Sequence, residues 1–285
     1  MSRRDLLSTI HAQHSSGRAS RRATRRDSGG FADTAVMVSQ GDDSATVGVV
    51  LSSAAVMTVN VVTRHYLASE HLWAATVNAA RCRELEDVLK GHGLATHPTH
   101  RACALTAVMS SVAFLEALVN EIFQDAAENA SGRVERLTQQ CRVLMKEYWV
   151  SADRTSLLNK YQMGLLFARG EKMDRGCAPT QDATLLIALR NALVHFRPSW
   201  HSDEDPTDLE RRLSGKFAKS ELLSAHDGSP WPIWALAAAG AEWSVGAARA
   251  FADEWVDRMG LARIYETDLN SYQAAIRMAG TGMQS

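Results

Sequence analysis

The sequence predicts an all-α protein, and three observations support this. From Leu105 to Ile122 apolar residues recur every three or four positions, which lines them along one side of a helix. The chain has only six prolines in 285 residues, and the first is Pro98, so long stretches can remain helical. The chain is 46% hydrophobic and 22% charged. These are ordinary globular values, which exclude a fibrous or wholly disordered protein.

Each predicted helix is an apolar periodic segment between residues that end helices. Gly91, Pro198 and Gly260 are the clearest of these ends. In the segment before Pro198, Leu185, Leu189, Leu193 and Phe196 form the predicted core stripe. The segments are 66–90, 105–122, 133–148, 157–167, 182–196, 207–213 and the alanine-rich 233–259.

The N-terminal residues differ in composition from the rest of the chain. The first 30 hold seven arginines and two aspartates, with no apolar periodicity. We therefore expect a disordered Arg/Ser-rich tail over residues 1–44, either a solvated arm or a weak phosphate-binding arm. An apolar lead-in follows over 45–63, then a helical domain over 64–265 and a C-terminal tail over 266–285.

The lead-in contains an uncharged stretch, residues 45–62, which is marginally long enough to span a membrane. Its serine, threonine and asparagine residues and the lack of a second span argue against insertion. It also begins too late in the chain for a signal peptide. A short strand pair or an irregular segment is the preferred interpretation, and the expected location is the cytoplasm.

Neither the cysteines nor the histidines predict a metal site. No two of the four cysteines form a CxxC pair, which favours reduced thiols. They are Cys82, Cys103, Cys141 and Cys177. The loop histidines His92, His97 and His100, together with Cys103, match no common zinc spacing. The usual nucleotide-binding, zinc-protease and serine-hydrolase motifs are also absent. The sequence thus predicts no metal and no cofactor.

The residues best suited to chemistry lie in the segment 185–198, LLIALRNALVHFRP. It places Arg190, Asn191 and His195 at the end of a helix, with Asn191 and His195 four residues apart on one side. A histidine can accept the proton of a ribose 2′-hydroxyl. A guanidinium can bind the phosphate with two hydrogen bonds. On its own, an arginine five residues before a histidine is also compatible with ordinary structural roles.

This segment resembles the RNxxxH motif of the HEPN superfamily (higher-eukaryote and prokaryote nucleotide-binding domains). Arg190, four residues and His195 match its ribonuclease signature. The segment 109–123, MSSVAFLEALVNEIF, is similar to an earlier HEPN helix, with Glu116 and Asn120 at the positions that lie beside the motif helix. The resemblance covers about residues 70–260.

The resemblance implies a bundle of four or more helices that dimerises through the motif helices, here with an additional long C-terminal helix. It implies a metal-independent endoribonuclease of toxin–antitoxin or phage-defence systems, with a composite active site in a homodimer. Arg190, His195 and Asn191 would be catalytic, Glu116 and Asn120 would support them, and an antitoxin or other defence protein is a possible partner.

Two alternatives remain open. A non-catalytic interaction or sensor protein with the same fold would use Asn191 and His195 to hold a dimer together. A membrane-tethered helical protein depends wholly on residues 45–62. A positive rim of Arg190, Arg197 and Lys160 would favour RNA binding, whereas an acidic rim supplied by residues 203–205 would favour interaction.

Overall fold

The computed structural model describes residues 37–38, 47–48, 63–92, 97–130, 132–169, 171–198, 206–220, 222 and 231–282. The chain divides into two units, residues 1–65 and 66–285. In the first unit, β1 (Met37–Val38) pairs antiparallel with β2 (Val47–Gly48). Most of the predicted tail and lead-in lies outside the described residues.

The second unit is helical, which confirms the all-α prediction. Its described part contains eight α-helices and two short 3-10 turns, at Ala152–Arg154 and Ile233–Ala235. The α-helices are α1 (Ala68–Gly91), α2 (Pro98–Glu128), α3 (Gln139–Trp149), α4 (Leu157–Arg169), α5 (Thr180–Val194), α6 (Asp208–Leu213), α7 (Ala238–Met259) and α8 (Ile264–Gly282).

Helix α2 lies at the centre of this unit and packs against α1, α3, α4, α5 and α7. Its predicted stripe is buried, except that Leu105 is exposed. Among the described helices, only α2 is long and apolar enough to cross a membrane, and half of its apolar stretch is buried inside the protein. This is the burial expected of a core helix.

An aromatic cluster joins α4 to α7. The Trp255 ring packs edge-on against Tyr161, with ring centroids 4.9 Å apart, and its indole N–H donates to the Tyr161 carbonyl oxygen at 2.8 Å. Phe251 packs against the same tyrosine at 4.8 Å. Gly164 allows this approach, because a Cβ there would lie 3.0 Å from Trp255.

Several element boundaries differ from the sequence predictions. The predicted helix 133–148 begins only at Gln139, where the Thr138 side chain accepts a hydrogen bond from the Cys141 N–H. The last long helix begins at Ala238 instead of residue 233, although its predicted end at Gly260 is confirmed by a left-handed φ of 69°. The predicted C-terminal tail forms α8 up to Gly282. Its first turns are held to the core by the buried side chains of Tyr265 and Leu269.

Candidate functional site

The predicted motif lies at the C-terminal end of α5. Arg190 and Asn191 belong to its last turns, and His195 is the residue that follows the helix. The His195 backbone N–H still donates to the Asn191 carbonyl oxygen at 2.9 Å, so these two residues are one turn apart. The helix therefore ends two residues earlier than predicted. Pro198, which has no N–H to donate, follows closely.

The motif helix is joined to α2 through a pair of opposite charges. The Arg190 guanidinium lies 3.5 Å from a carboxylate oxygen of Glu116. Both side chains are partly exposed, so this long contact contributes little to stability. The structure thus brings Glu116 into contact with Arg190, whereas the Asn120 side chain contacts Lys160.

Asn120 and Lys160 form a second contact, and here the structure corrects a prediction. Lys160 is only 7% exposed. Its ammonium donates to the Asn120 side-chain oxygen at 3.0 Å and lies 5.4 Å from the centre of the Trp149 ring. The prediction that Lys160 contacts RNA is therefore not supported, because its charge is buried and already hydrogen-bonded.

His195, Asn191 and Arg197 are exposed. In the described part of the chain, the His195 imidazole makes no hydrogen bond, so both ring nitrogens are accessible. The neighbouring apolar side chains are exposed as well, Val194 at 53% and Phe196 at 42%. The prediction that Phe196 belongs to the core stripe is wrong, because the chain leaves the helix before residue 196. A single protomer thus presents this motif on an open surface.

The rim around the motif is described only in part. Arg197 is exposed two residues after His195, and the Glu116 carboxylate lies beside Arg190. The acidic segment 203–205 lies outside the described residues.

A second cluster, which sequence reasoning missed, lies between α1 and α2. Potential ligand atoms of Cys82, Glu86 and His100 all lie within 4.8 Å of one another. Of the loop histidines, only His100 is part of this cluster, whereas His92 and His97 are exposed. The spacing of Cys82 and Glu86, four residues apart in a helix, was the available signal.

The Glu86 carboxylate has three hydrogen-bond partners. His100 Nε2 lies 3.1 Å away, the Ser220 hydroxyl 2.6 Å and the Ala238 backbone N–H 2.8 Å. Burial opposes ionisation of Glu86, but these hydrogen bonds outweigh it and lower the pKa to about 2. Burial also raises the pKa of the Cys82 thiol to about 12.

Comparisons with protein-family models, with curated proteins and with solved structures find no match to this chain.

Proposed function

We propose that this protein is a metal-independent endoribonuclease of the HEPN type, active as a homodimer. The observation that supports the proposal best is the exposed end of α5. It presents Arg190, Asn191 and His195 within six residues. Asn120 lies one turn along α2 from Glu116.

The chemistry requires only protein groups. A neutral His195 imidazole accepts the proton of a ribose 2′-hydroxyl, and the resulting oxygen nucleophile attacks the adjacent phosphorus. Arg190 binds the non-bridging phosphate oxygens and stabilises the charge that develops on them. Asn191 contacts the RNA backbone or orients the imidazole. The bond from the phosphorus to the 5′ oxygen breaks, and the leaving oxygen takes a proton from the His195 imidazolium or from water. The products are a 2′,3′-cyclic phosphate and a 5′-hydroxyl end.

A homodimer explains why the motif lies on an open surface beside apolar side chains. Val194 and Phe196 are exposed on either side of His195, and a second copy of the chain would cover them. The same contact would bring two Arg190–His195 pairs into one cleft. A cleft also excludes water from the phosphate, which strengthens the electrostatic contribution of each guanidinium.

The test is expression of the wild type beside Arg190→Ala, Asn191→Ala and His195→Ala. We expect growth arrest and RNA fragmentation for the wild type, and loss of both for the Arg190 and His195 variants. His92→Ala is a matched control, because His92 is exposed at the residue after α1, as His195 is after α5. Full activity of folded, dimeric His195→Ala would refute the proposal.

Purified protein provides a second test, with chelator present throughout. A mixture of the Arg190→Ala and His195→Ala variants regains partial cleavage if each site takes its arginine and histidine from different protomers. If both residues act within one protomer, the mixture stays inactive. Fragments carrying 2′,3′-cyclic phosphates would identify attack by the 2′-hydroxyl, and any other end would contradict that step.

The alternative is a non-catalytic interaction protein with the same fold. The contact between Arg190 and Glu116 favours it, because a carboxylate already partly neutralises the guanidinium. In that case the wild type and the alanine variants would leave RNA intact, while His195→Ala would weaken the dimer. If the protein is a ribonuclease, we expect it to act in a toxin–antitoxin or phage-defence system and to have an antitoxin or other defence partner. Relief of growth arrest by a co-expressed neighbouring gene product would support them.

A further inference from the structure

The interior between α1 and α2 contains three metal-ligating side chains of different chemistry. Cys82 and Glu86 lie one turn apart on α1, and His100 lies in the first turn of α2. The Cys82 sulfur, a Glu86 carboxylate oxygen and a His100 ring nitrogen lie within 4.8 Å of one another. All three side chains are buried, with exposed fractions of 4% or less.

The imidazole of His100 lacks a partner on one side. Its Nε2 meets Glu86, but Nδ1 is buried and, among the described residues, has no hydrogen-bond partner. Nε2 is therefore the ring nitrogen placed to bind a metal ion beside Glu86, and Nδ1 would carry the ring proton. The Cys82 thiol is also weakly engaged, since its nearest acceptor is the His100 carbonyl oxygen at 3.6 Å.

We propose that Cys82, Glu86 and His100 bind a Zn²⁺ ion that stabilises the junction of α1 and α2. In a tetrahedral zinc site, ligand atoms about 2.0–2.3 Å from the metal are about 3.3–3.8 Å apart. The 3.1 Å between His100 Nε2 and Glu86 Oε2 is already close to this separation. A side-chain adjustment of about 1 Å at Cys82 would complete the three-ligand geometry.

The ligand types select zinc over other common ions. Sulfur, imidazole nitrogen and carboxylate oxygen together suit Zn²⁺, whereas Mg²⁺ and Ca²⁺ require oxygen ligands. A dication also balances the charges of a carboxylate and a thiolate in a buried site. Cys103 packs in the same buried cluster as Cys82, but its sulfur is not among the ligand atoms that lie within 4.8 Å of one another.

The ion would act structurally, independently of the proposed ribonuclease site. Glu86 also accepts hydrogen bonds from Ser220 and from the first N–H of α7. The surrounding side chains are alanines from α1, α2 and α7, which allow the three helices to approach closely. A zinc ion here would therefore connect α1 directly to α2 and, through Glu86, to the start of α7.

The experiment uses the full chain without an affinity tag, stripped of metal by a chelator under reducing conditions and titrated with Co²⁺. We expect one Co²⁺ per chain, a thiolate-to-cobalt charge-transfer band and the visible bands of tetrahedral cobalt, all abolished by Zn²⁺. Cys82→Ser and His100→Gln should lower the affinity at least tenfold. Cys141→Ser, at a buried cysteine of α3, and His92→Gln should leave it unchanged.

Three results would overturn the proposal. One is the absence of a cobalt spectrum in the reduced wild type, which would leave the cluster as a hydrogen-bonding centre only. Another is unchanged binding in folded Cys82→Ser. The third applies even if the ligand variants fail to fold. X-ray absorption of the zinc-loaded wild type should show sulfur at about 2.3 Å and lighter ligands at about 2.0 Å, and a shell without sulfur would refute the assignment.

Discussion

Replacing Asn120 with leucine should destabilise the protein by leaving a buried ammonium without its acceptor. The Lys160 side chain is 7% exposed and donates to Asn120 at 3.0 Å. Its other described contact is the face of Trp149, 5.4 Å from the ring centre. Leucine has nearly the shape of asparagine but accepts no hydrogen bond, so the substitution isolates the polar contribution.

The magnitude follows from these contacts. A hydrogen bond to a charged group contributes about 1.5–3 kcal/mol, and removing one partner of a buried charge costs about 3–5 kcal/mol. Because Lys160 keeps its contact with Trp149, we expect Asn120→Leu to cost about 2–3 kcal/mol. Lys160→Met should cost only about 1 kcal/mol, since it removes the charge but keeps an apolar chain of similar length.

The assay is a double-mutant cycle with urea unfolding followed by circular dichroism. The double variant should be hardly less stable than Lys160→Met alone, which gives a coupling of about 2–3 kcal/mol. In thermal unfolding, Asn120→Leu alone should lower Tm by about 4–10 °C. Costs that add within about 0.5 kcal/mol would refute the reasoning, because they would show that the two side chains do not interact.

The cycle also separates the structural role of Lys160 from the RNA contact expected from the sequence. Lys160→Met should leave RNA affinity unchanged. Arg197→Gln should weaken it, because Arg197 is exposed beside His195. If both variants lost RNA affinity equally and Lys160→Met were as stable as the wild type, Lys160 would have to contact RNA.

Two further predictions concern the packing of the helical unit. Gly240→Ala should cost about 1–3 kcal/mol in urea unfolding, because its Cβ would lie 2.2 Å from the Ala235 carbonyl oxygen. A Cβ at Gly246, in the same helix, would have no atom within 4 Å, so Gly246→Ala should stabilise the protein by about 0.5–1 kcal/mol. Changes in the free energy of unfolding with the same sign in the two variants would contradict this account. Burial and a hydrogen bond to Asp253 raise the pKa of Tyr265 above its ordinary value of 10. The unfolded chain therefore loses the phenol proton at a lower pH than the folded protein does, so the free energy of unfolding falls above about pH 10. Tyr265→Phe should reduce that fall, and an unchanged pH dependence of the urea midpoint would refute the assignment.

The sequence by itself determined the helical class, the central helix and the place of the motif. The stripe in α2 was predictable because apolar residues spaced by three and four positions can be buried only as a helix. Gly260 was predictable as a helix end because a left-handed φ favours glycine. Arg190 and His195 were found because their spacing is local and lies within one segment.

Only the tertiary structure decided what surrounds each polar side chain. Lys160 was expected in solvent, yet α2 and α3 supply Asn120 and Trp149 to a buried ammonium. Helix α8 was missed although about half of its residues are apolar, because its packing depends on the distant helices α1 and α2, where Trp73 and Phe114 contact its tyrosines.

The cluster of Cys82, Glu86 and His100 joins two helices, and Glu86 also receives the N–H of Ala238, 152 residues later. Local periodicity determines which face of a helix is apolar, but it carries no information about which face of another helix it will meet. Burial and the geometry of a site depend on which helix faces pack against each other.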